Sequence, residues 1–365
     1  MLNALLAAAA IVTVPDTAIQ HHALKGAPFG VVASADSKHL FVATTSGEKG
    51  LAAYDITDSG LTRSGFIALD GAPVDFGLSA DGGLAVVAAE SRVYFIDTAK
   101  LAAGGAGAVL GQMALGNTSI NAAVSPDGHF AFVAEEGEAL ITVIDLDKAR
   151  ANRFDKSAVV GTIPVGYSPI SIVFSKDGRW IYVGVEAVVS GLNWPNDCAD
   201  ETGRGQSHAQ GAIITLKAAA AEQAAAHAVA GIAAAACSSV RIKLSDDGGK
   251  AYMTARGSGE VVAFDTAGLP GVVSKTPATK ASVGASPVGI AGDGRRLFVA
   301  LSNRYVQGDG ASSVVIVDPQ TLAVTGRIPA GVFPRELAVT PDGRWLFIGN
   351  FGSSDLEQVD LKAVP

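Results

Sequence analysis

The sequence predicts an all-β fold, a seven-bladed β-propeller of four-stranded antiparallel blades whose ring is closed by the N-terminal strand. Three observations predict it. First, one phrase recurs seven times: Pro or Ser, an apolar stretch, a Ser/Thr-x-Asp-Gly turn or close variant, then a short apolar strand. Its Asp markers are Asp36, Asp81, Asp127, Asp177, Asp247, Asp293 and Asp342. A repeat of this length cannot bury its own face and must stack on its neighbours. Second, the apolar residues inside each copy alternate with period two, the signature of strands. Third, 43 glycines and 6% aromatics suit a turn-dense protein packed tightly round an axis.

One copy shows how the elements follow. In Ser168–Asp177, Ile170, Ile172 and Phe174 alternate with Ser171, Val173 and Ser175, which makes an innermost strand. Lys176-Asp177-Gly178-Arg179 is a turn, with Gly178 supplying the unusual φ. Trp180–Val183 is the second strand. In the third blade the third strand is 140–145 and the fourth is 159–165. The last blade supplies three strands, and its fourth is expected from Thr17–Leu24. That exchange would close the ring and remove an exposed edge. The chain is then one domain, 1–365. Residues 1–16 are either the remnant of an export signal or the start of an N-terminal strand near Ile11, because the apolar start lacks a basic region. His21 and His22 fall on opposite faces of the expected outer strand, which argues against a shared metal.

Charge excludes some partners. Lys and Arg total 27 against 35 Asp and Glu, for a net charge of −8. No basic run or stripe is present, so nucleic acid is not an expected partner. No stretch is long and apolar enough to span a membrane.

The repeats resemble the YVTN-type seven-bladed propeller family, close to the lactonase-like propellers. The family phrase is seen in Ser125-Pro126-Asp127-Gly128 and Thr340-Pro341-Asp342-Gly343. It is seen again in Ile141-Thr142-Val143-Ile144-Asp145 and Val314-Val315-Ile316-Val317-Asp318. The likeness covers nearly the whole chain from about residue 25. The namesake Asn is kept at Asn350, whereas other blades carry Thr44, Ala89, Glu135, Val185, Ala255 and Leu301.

In a propeller the connections between blades and the turns after the second strand share one rim. The residue two after each Pro/Ser marker therefore forms a ring: Gly30, Asp75, Asn121, Ser171, Arg241, Gly289 and Glu336. The ends of the second strands form another: Glu90, Glu135, Glu136, Glu186, Arg256, Asn303 and Asn350, with Arg335 beside it. Such charges are either mutual pairs, for example Arg241 with Glu186, or a ligand site. Carboxylates from successive blades are also oxygen ligands suited to Ca²⁺ or Mg²⁺. No D-x-D-x-D-G loop accompanies them, so no metal and no cofactor is expected.

Two blades carry insertions on that rim, at 188–210 and 303–310. Loops on a rigid scaffold commonly carry specificity. Trp194 and Tyr305 are candidates for stacking on a ligand or for plugging their own loops. The two cysteines, Cys198 and Cys237, fall on one rim in neighbouring blades. They form either a disulfide pinning the first insertion, which implies a periplasmic or secreted protein, or two separate buried thiols. The Ala-rich 218–236 segment reads as a short helical turn and then an outer strand, with His227 exposed.

Two functions are carried forward. One is an exported monomeric module that binds a small-molecule or protein ligand at its rim through Asp75, Asn121, Trp194, His208, Tyr305, Arg335, Glu336 and Asn350. The other, implied by the resemblance, is a lactonase-like hydrolase or isomerase. In it Glu136 or Glu186 would be the general base and Arg241 or Arg256 would stabilise the oxyanion, with His208 the sole rim histidine.

Overall fold

The computed structural model describes residues 11–188, 198, 209–225, 227–274, 279–303 and 312–364. Seven innermost strands start seven blades. Six of them are Gly26–Ala33, Pro73–Leu78, Tyr167–Phe174, Ser239–Leu244, Pro287–Gly292 and Pro334–Val339. The remaining one, of blade three, is the second half of Val109–Val124, which pairs with Phe130–Glu135. The first six blades add their strands outward in chain order; blade one continues through His39–Gly47, Gly50–Thr57 and Gly60–Ala68.

Blades two and three form a single six-stranded sheet, since two long strands serve twice. Leu84–Asp97 pairs with Pro73–Leu78 through its first half and with Val109–Val124 through its second. Glu90, at φ +51°, marks the change of partner.

The N-terminal segment serves two blades. Ile19–Ala23 pairs antiparallel with Asp355–Asp360 as the outermost strand of blade seven, inside the span expected from the sequence. Before it, Val12–Thr13 pairs parallel with Val324–Pro329 at the edge of blade six. Val273–Ser274 covers the edge of blade four in the same way. These short additions occupy backbone groups that an edge strand leaves unpaired.

The core lies between blades rather than within them. Phe132, Ile141 and Val143 of blade three meet Ile181, Val183 and Ile214 of blade four. The last and first blades meet in the same way, through Trp345, Phe347 and Leu356 against Val31, Leu40 and Val42. Burying apolar area only against a neighbour is the physical basis of the repeat.

The repeated turn is a small hydrogen-bonded unit. In six blades a Ser or Thr hydroxyl donates to the Asp two residues on, at 2.5–2.7 Å, from Ser34–Asp36 to Thr340–Asp342. The same hydroxyl accepts the N–H five residues on, as from Phe130 to Ser125 at 2.9 Å. The Asp accepts the N–H two residues on, as from His129 to Asp127 at 3.1 Å. In blade four the Ser175 hydroxyl, with Arg179, holds Asp177 down at about 2. The turn glycines adopt positive φ, for example Gly178 at +69°; in blade one Ser37 takes that conformation at +60°.

Blade six departs from this pattern, because Ala291 stands two residues before Asp293, where the hydroxyl residue would be. Arg296 substitutes for the missing hydroxyl by donating to Asp293 Oδ2 through Nε at 3.0 Å and Nη2 at 2.7 Å. Its Nη1 also donates to Val364 O at 2.5 Å, tying in the C-terminal segment of blade seven.

The Asp that ends the third strand is a helix cap. Asp97 accepts from Lys100 N at 2.9 Å and Asp145 from Lys148 N at 2.8 Å, starting Thr98–Ala102 and Leu146–Ala151. A side-chain oxygen at this position satisfies an N–H that the first helical turn leaves open. In the Ala-rich segment, Ala218–Ala221 is helical, Val229–Cys237 is a strand and His227 is exposed.

Candidate functional site

The central channel is divided in two by a layer of buried charge. Arg241 reaches across the axis from blade five. Its Nη2 is 3.1 Å from Asp75 Oδ2 of blade two, and its Nε donates to Glu336 Oε2 of blade seven at 2.9 Å. Its Nη1 donates to Ile170 O at 2.6 Å. Asn121 Nδ2 donates to Asp75 Oδ2 at 2.8 Å, and Asn121 Oδ1 accepts from Ile172 N at 3.0 Å. Ser171 Oγ accepts from Ile242 N at 3.2 Å. Asp75, Asn121, Ser171, Arg241 and Glu336 are all buried. Burial pushes Glu336 up to about 6 against the pull of Arg241, because two carboxylates share one guanidinium.

Below this layer, toward the repeated turns, lies a cavity of about 540 Å³. Its walls are the innermost strands, with small and apolar residues such as Val32, Gly77, Ala123, Val173 and Ala338, and with Lys243 among them.

Above the layer is the mouth, a cavity of about 530 Å³. Val74, Ile120, Ile170 and Val240 line it, with Arg241 among them. Glu90, Glu136, Glu186 and Arg256 line it from blades two to five. Arg256 Nη2 donates to Glu186 Oε1, so these two close on each other. Blades one and seven contribute Phe29, Phe333, Phe351 and Arg335. The Arg335 guanidinium carbon is 3.5 Å from the centroid of Phe29, 5.8 Å from Phe333 and 5.9 Å from Phe351. A cation over ring faces at these distances is held by the ring quadrupoles. Glu90 is exposed and has no hydrogen-bond or ion-pair partner among the described residues.

The two expected rings thus separate. Glu136, Glu186, Arg256 and Arg335 line the mouth, while Asp75, Asn121 and Glu336 form the partition beneath it. Arg241 belongs to both. Its carboxylate partners are Asp75 and Glu336, and Glu186 pairs with Arg256 instead. The sequence could not choose among these pairings because the partners lie across the axis. Asn350 is fully buried away from the mouth lining; its Nδ2 donates to Asp355 Oδ1 at 2.6 Å and to Glu357 Oε1 at 3.0 Å. Trp194, His208 and Tyr305 lie outside the described residues. Cys198 and Cys237 form a disulfide, with Cα atoms 5.5 Å apart. The ends of that insertion meet, Val188 N donating to Gln210 O at 3.0 Å.

Sequence reasoning missed the phenylalanines. Phe29 and Phe333 are adjacent to the Pro markers Pro28 and Pro334, and Phe351 follows the namesake Asn350, so their spacing carried the signal. It also missed the buried acid Glu357, and it named Glu135 without its burial. Burial pushes Glu135 and Glu357 up to about 7 each. Ser119 Oγ donates to Glu135 Oε2 at 3.0 Å. Among the described residues no three His, Cys, Asp or Glu converge as a metal site, and no helix is long and apolar enough to cross a membrane.

Comparison with known proteins follows the same lines. Residues 269–363, which hold blades six and seven, match the family described as Lactonase, 7-bladed beta-propeller. No curated protein sequence matches the chain. Among solved structures, Kuenenia stuttgartiensis Hydrazine Synthase is similar, with a TM-score of 0.68 and 18% identity over 92% of this chain and 96% of that one. At that identity the likeness is one of fold. Repeat, blade packing and structural likeness make this chain a seven-bladed β-propeller, and its last two blades resemble the lactonase propeller family.

Proposed function

We propose that this propeller is an exported binding module whose mouth cavity receives a small-molecule or protein ligand. The observation that carries this reading is how the mouth charges are used. The Glu186 carboxylate is closed by Arg256, and Arg335 is packed against three phenylalanine rings. A general base needs a carboxylate open to water and substrate, and a pair engaged with its own arginine is poorly placed for that role. A preformed concave site with aromatic walls and convergent polar groups is what ligand recognition needs. Export is supported by the disulfide, which persists in oxidising compartments. We read the pairing of Ile19–Ala23 with Asp355–Asp360 as the closure of the ring, which keeps the cavity rigid.

A second reading is favoured by the lactonase family match over residues 269–363. In it Glu136, which lines the mouth, activates water, and Arg256 or Arg241 stabilises the oxyanion. A pH-stat assay of acid release from sugar and aliphatic lactones decides between the two, run with added Ca²⁺ or Mg²⁺ and with chelator. The binding module predicts no release above background. Saturable release that is lost in Glu136→Gln makes the protein a hydrolase.

A further inference from the structure

The blade-seven wall of the mouth hangs on one buried carboxylate. Glu357 is 1% exposed on Asp355–Asp360. Its Oε1 accepts from Gly331 N at 2.8 Å and from Asn350 Nδ2 at 3.0 Å. Gly331 opens the connection that brings Phe333 and Arg335 to the mouth. That connection is tied to the next turn of the same blade. Phe351 N donates to Phe333 O at 2.9 Å and Gly352 N to Val332 O at 2.8 Å, while Val332 N donates to Ser353 Oγ at 3.0 Å. Phe333 sits at φ +56°, a conformation that costs a bulky residue energy and persists only where its surroundings enforce it. Phe333, Arg335 and Phe351 therefore share one anchor.

No Lys or Arg faces that anchor among the described residues. On the outer strand His21 faces it, with Nδ1 3.7 Å from Glu357 Oε1 and a side chain 65% exposed. On the neighbouring strand Asn350 faces it, and on its own strand Asp355 shares the same Asn350 amide. A carboxylate buried without a cation favours its neutral form, and burial pushes Glu357 up to about 7. Ionisation places a charge beneath the connection with only neutral donors around it. The arrangement that relieves it lets water reach the carboxylate, which requires residues 331–333 to move away.

We propose that proton binding at Glu357 sets the shape of the mouth. Neutral Glu357 holds the wall closed, with Phe333, Arg335 and Phe351 in place. Ionised Glu357 loosens it. The inference deepens the binding reading of the mouth and rests on it for its functional consequence, while the motion itself is measured without ligand and without activity.

The test is amide hydrogen exchange of the full chain between pH 6 and 8.5, with rates corrected for the intrinsic pH dependence of exchange. Protection of the Gly331, Phe351 and Gly352 amides is expected to fall by about tenfold across that range, as linkage to a carboxyl titrating near neutrality requires. Glu357→Gln is expected to abolish the fall, and Glu135→Gln, on blade three, to leave it intact. Flat protection in the wild type, or an unchanged fall in Glu357→Gln, overturns the proposal. Should the glutamine variant not fold, ¹³C titration of the wild-type Glu357 carboxyl decides: a midpoint near 7 supports the proposal and one below 5 overturns it.

Discussion

The two ends of the channel have diverged from one repeat in opposite ways. At the turn end, six blades use the same hydroxyl–carboxylate unit, and the seventh replaces the hydroxyl with Arg296. At the mouth the blades share no common unit: second strands end in Glu90, Glu135 and Glu186 in three blades but in Arg256 and Asn350 in two others, and the walls carry phenylalanine on one side only. Both ends belong to the same strands, so the fold does not demand the difference. The uniform end satisfies backbone groups that every blade exposes. The varied end is relieved of that duty and is where recognition can reside. Between them, Asp75, Arg241 and Glu336 separate the two regimes.

The largest expected effect tests how the ring is held. Deleting residues through Thr13 removes only the short strand on blade six and should lower the melting temperature slightly. Deleting through Ala23 strips the fourth strand from blade seven and should abolish the cooperative transition. Equal melting temperatures for the two truncations would mean that Ile19–Ala23 does not close the ring. The sequence expected the closing strand at Thr17–Leu24, and the paired residues Ile19–Ala23 fall inside that span. The structure puts Val12–Thr13 on a different blade, so a deletion ending before Thr17 does not test closure.

Next comes the partition. Arg241→Met leaves Asp75 and Glu336 buried without their cation and should cost about 3–5 kcal/mol in urea unfolding. Adding Asp75→Asn and Glu336→Gln to that variant should recover part of the loss, since neutral amides need no counter-charge. A single variant as stable as wild type would show that the layer is solvated rather than buried.

A smaller effect is the dependence of stability on pH. Glu135 and Glu357 titrate at about 7 when folded, above the ordinary range of an exposed glutamate. Between those values the folded state holds more protons than the unfolded state, so stability falls as pH rises toward 7. It is fully present only below the unfolded pKa. The turn aspartates act in the opposite sense: Asp81, held low by the Ser79 hydroxyl and the Gly83 N–H, contributes above its unfolded pKa and loses that contribution as pH falls. Thermal unfolding from pH 3 to 8 should therefore peak on the acid side of neutrality. Glu135→Gln with Glu357→Gln should flatten the alkaline slope, and an unchanged slope would contradict these assignments.

The fold was legible because repetition multiplies a weak signal. Asp127 alone indicates a turn; seven such markers at blade spacing indicate a propeller. The outer strand Ile19–Ala23 was legible by subtraction, because blade seven lacked one. The mouth was legible only as a set of residues. Spacing puts Arg241 and Asp75 on the same ring but does not say that a guanidinium spans the axis to reach a carboxylate three blades away. Asn350 shows the converse. The letter that names the repeat reads as a rim ligand, yet its amide is spent on Glu357 and Asp355. The near-neutral acids were invisible because a glutamate's burial depends on which neighbours close over it.

The turn end supports the fold, and the mouth does not. The direct measurement is urea unfolding of Ser125→Ala beside Glu90→Gln in the same wild-type background. Ser125→Ala removes a hydroxyl that donates to Asp127 and accepts from Phe130 N, and should cost about 1–2 kcal/mol. Glu90→Gln alters an exposed mouth acid with no described partner and should stay within about 0.5 kcal/mol of wild type. A Glu90→Gln loss as large as that of Ser125→Ala would make the mouth charges part of the scaffold and contradict the account.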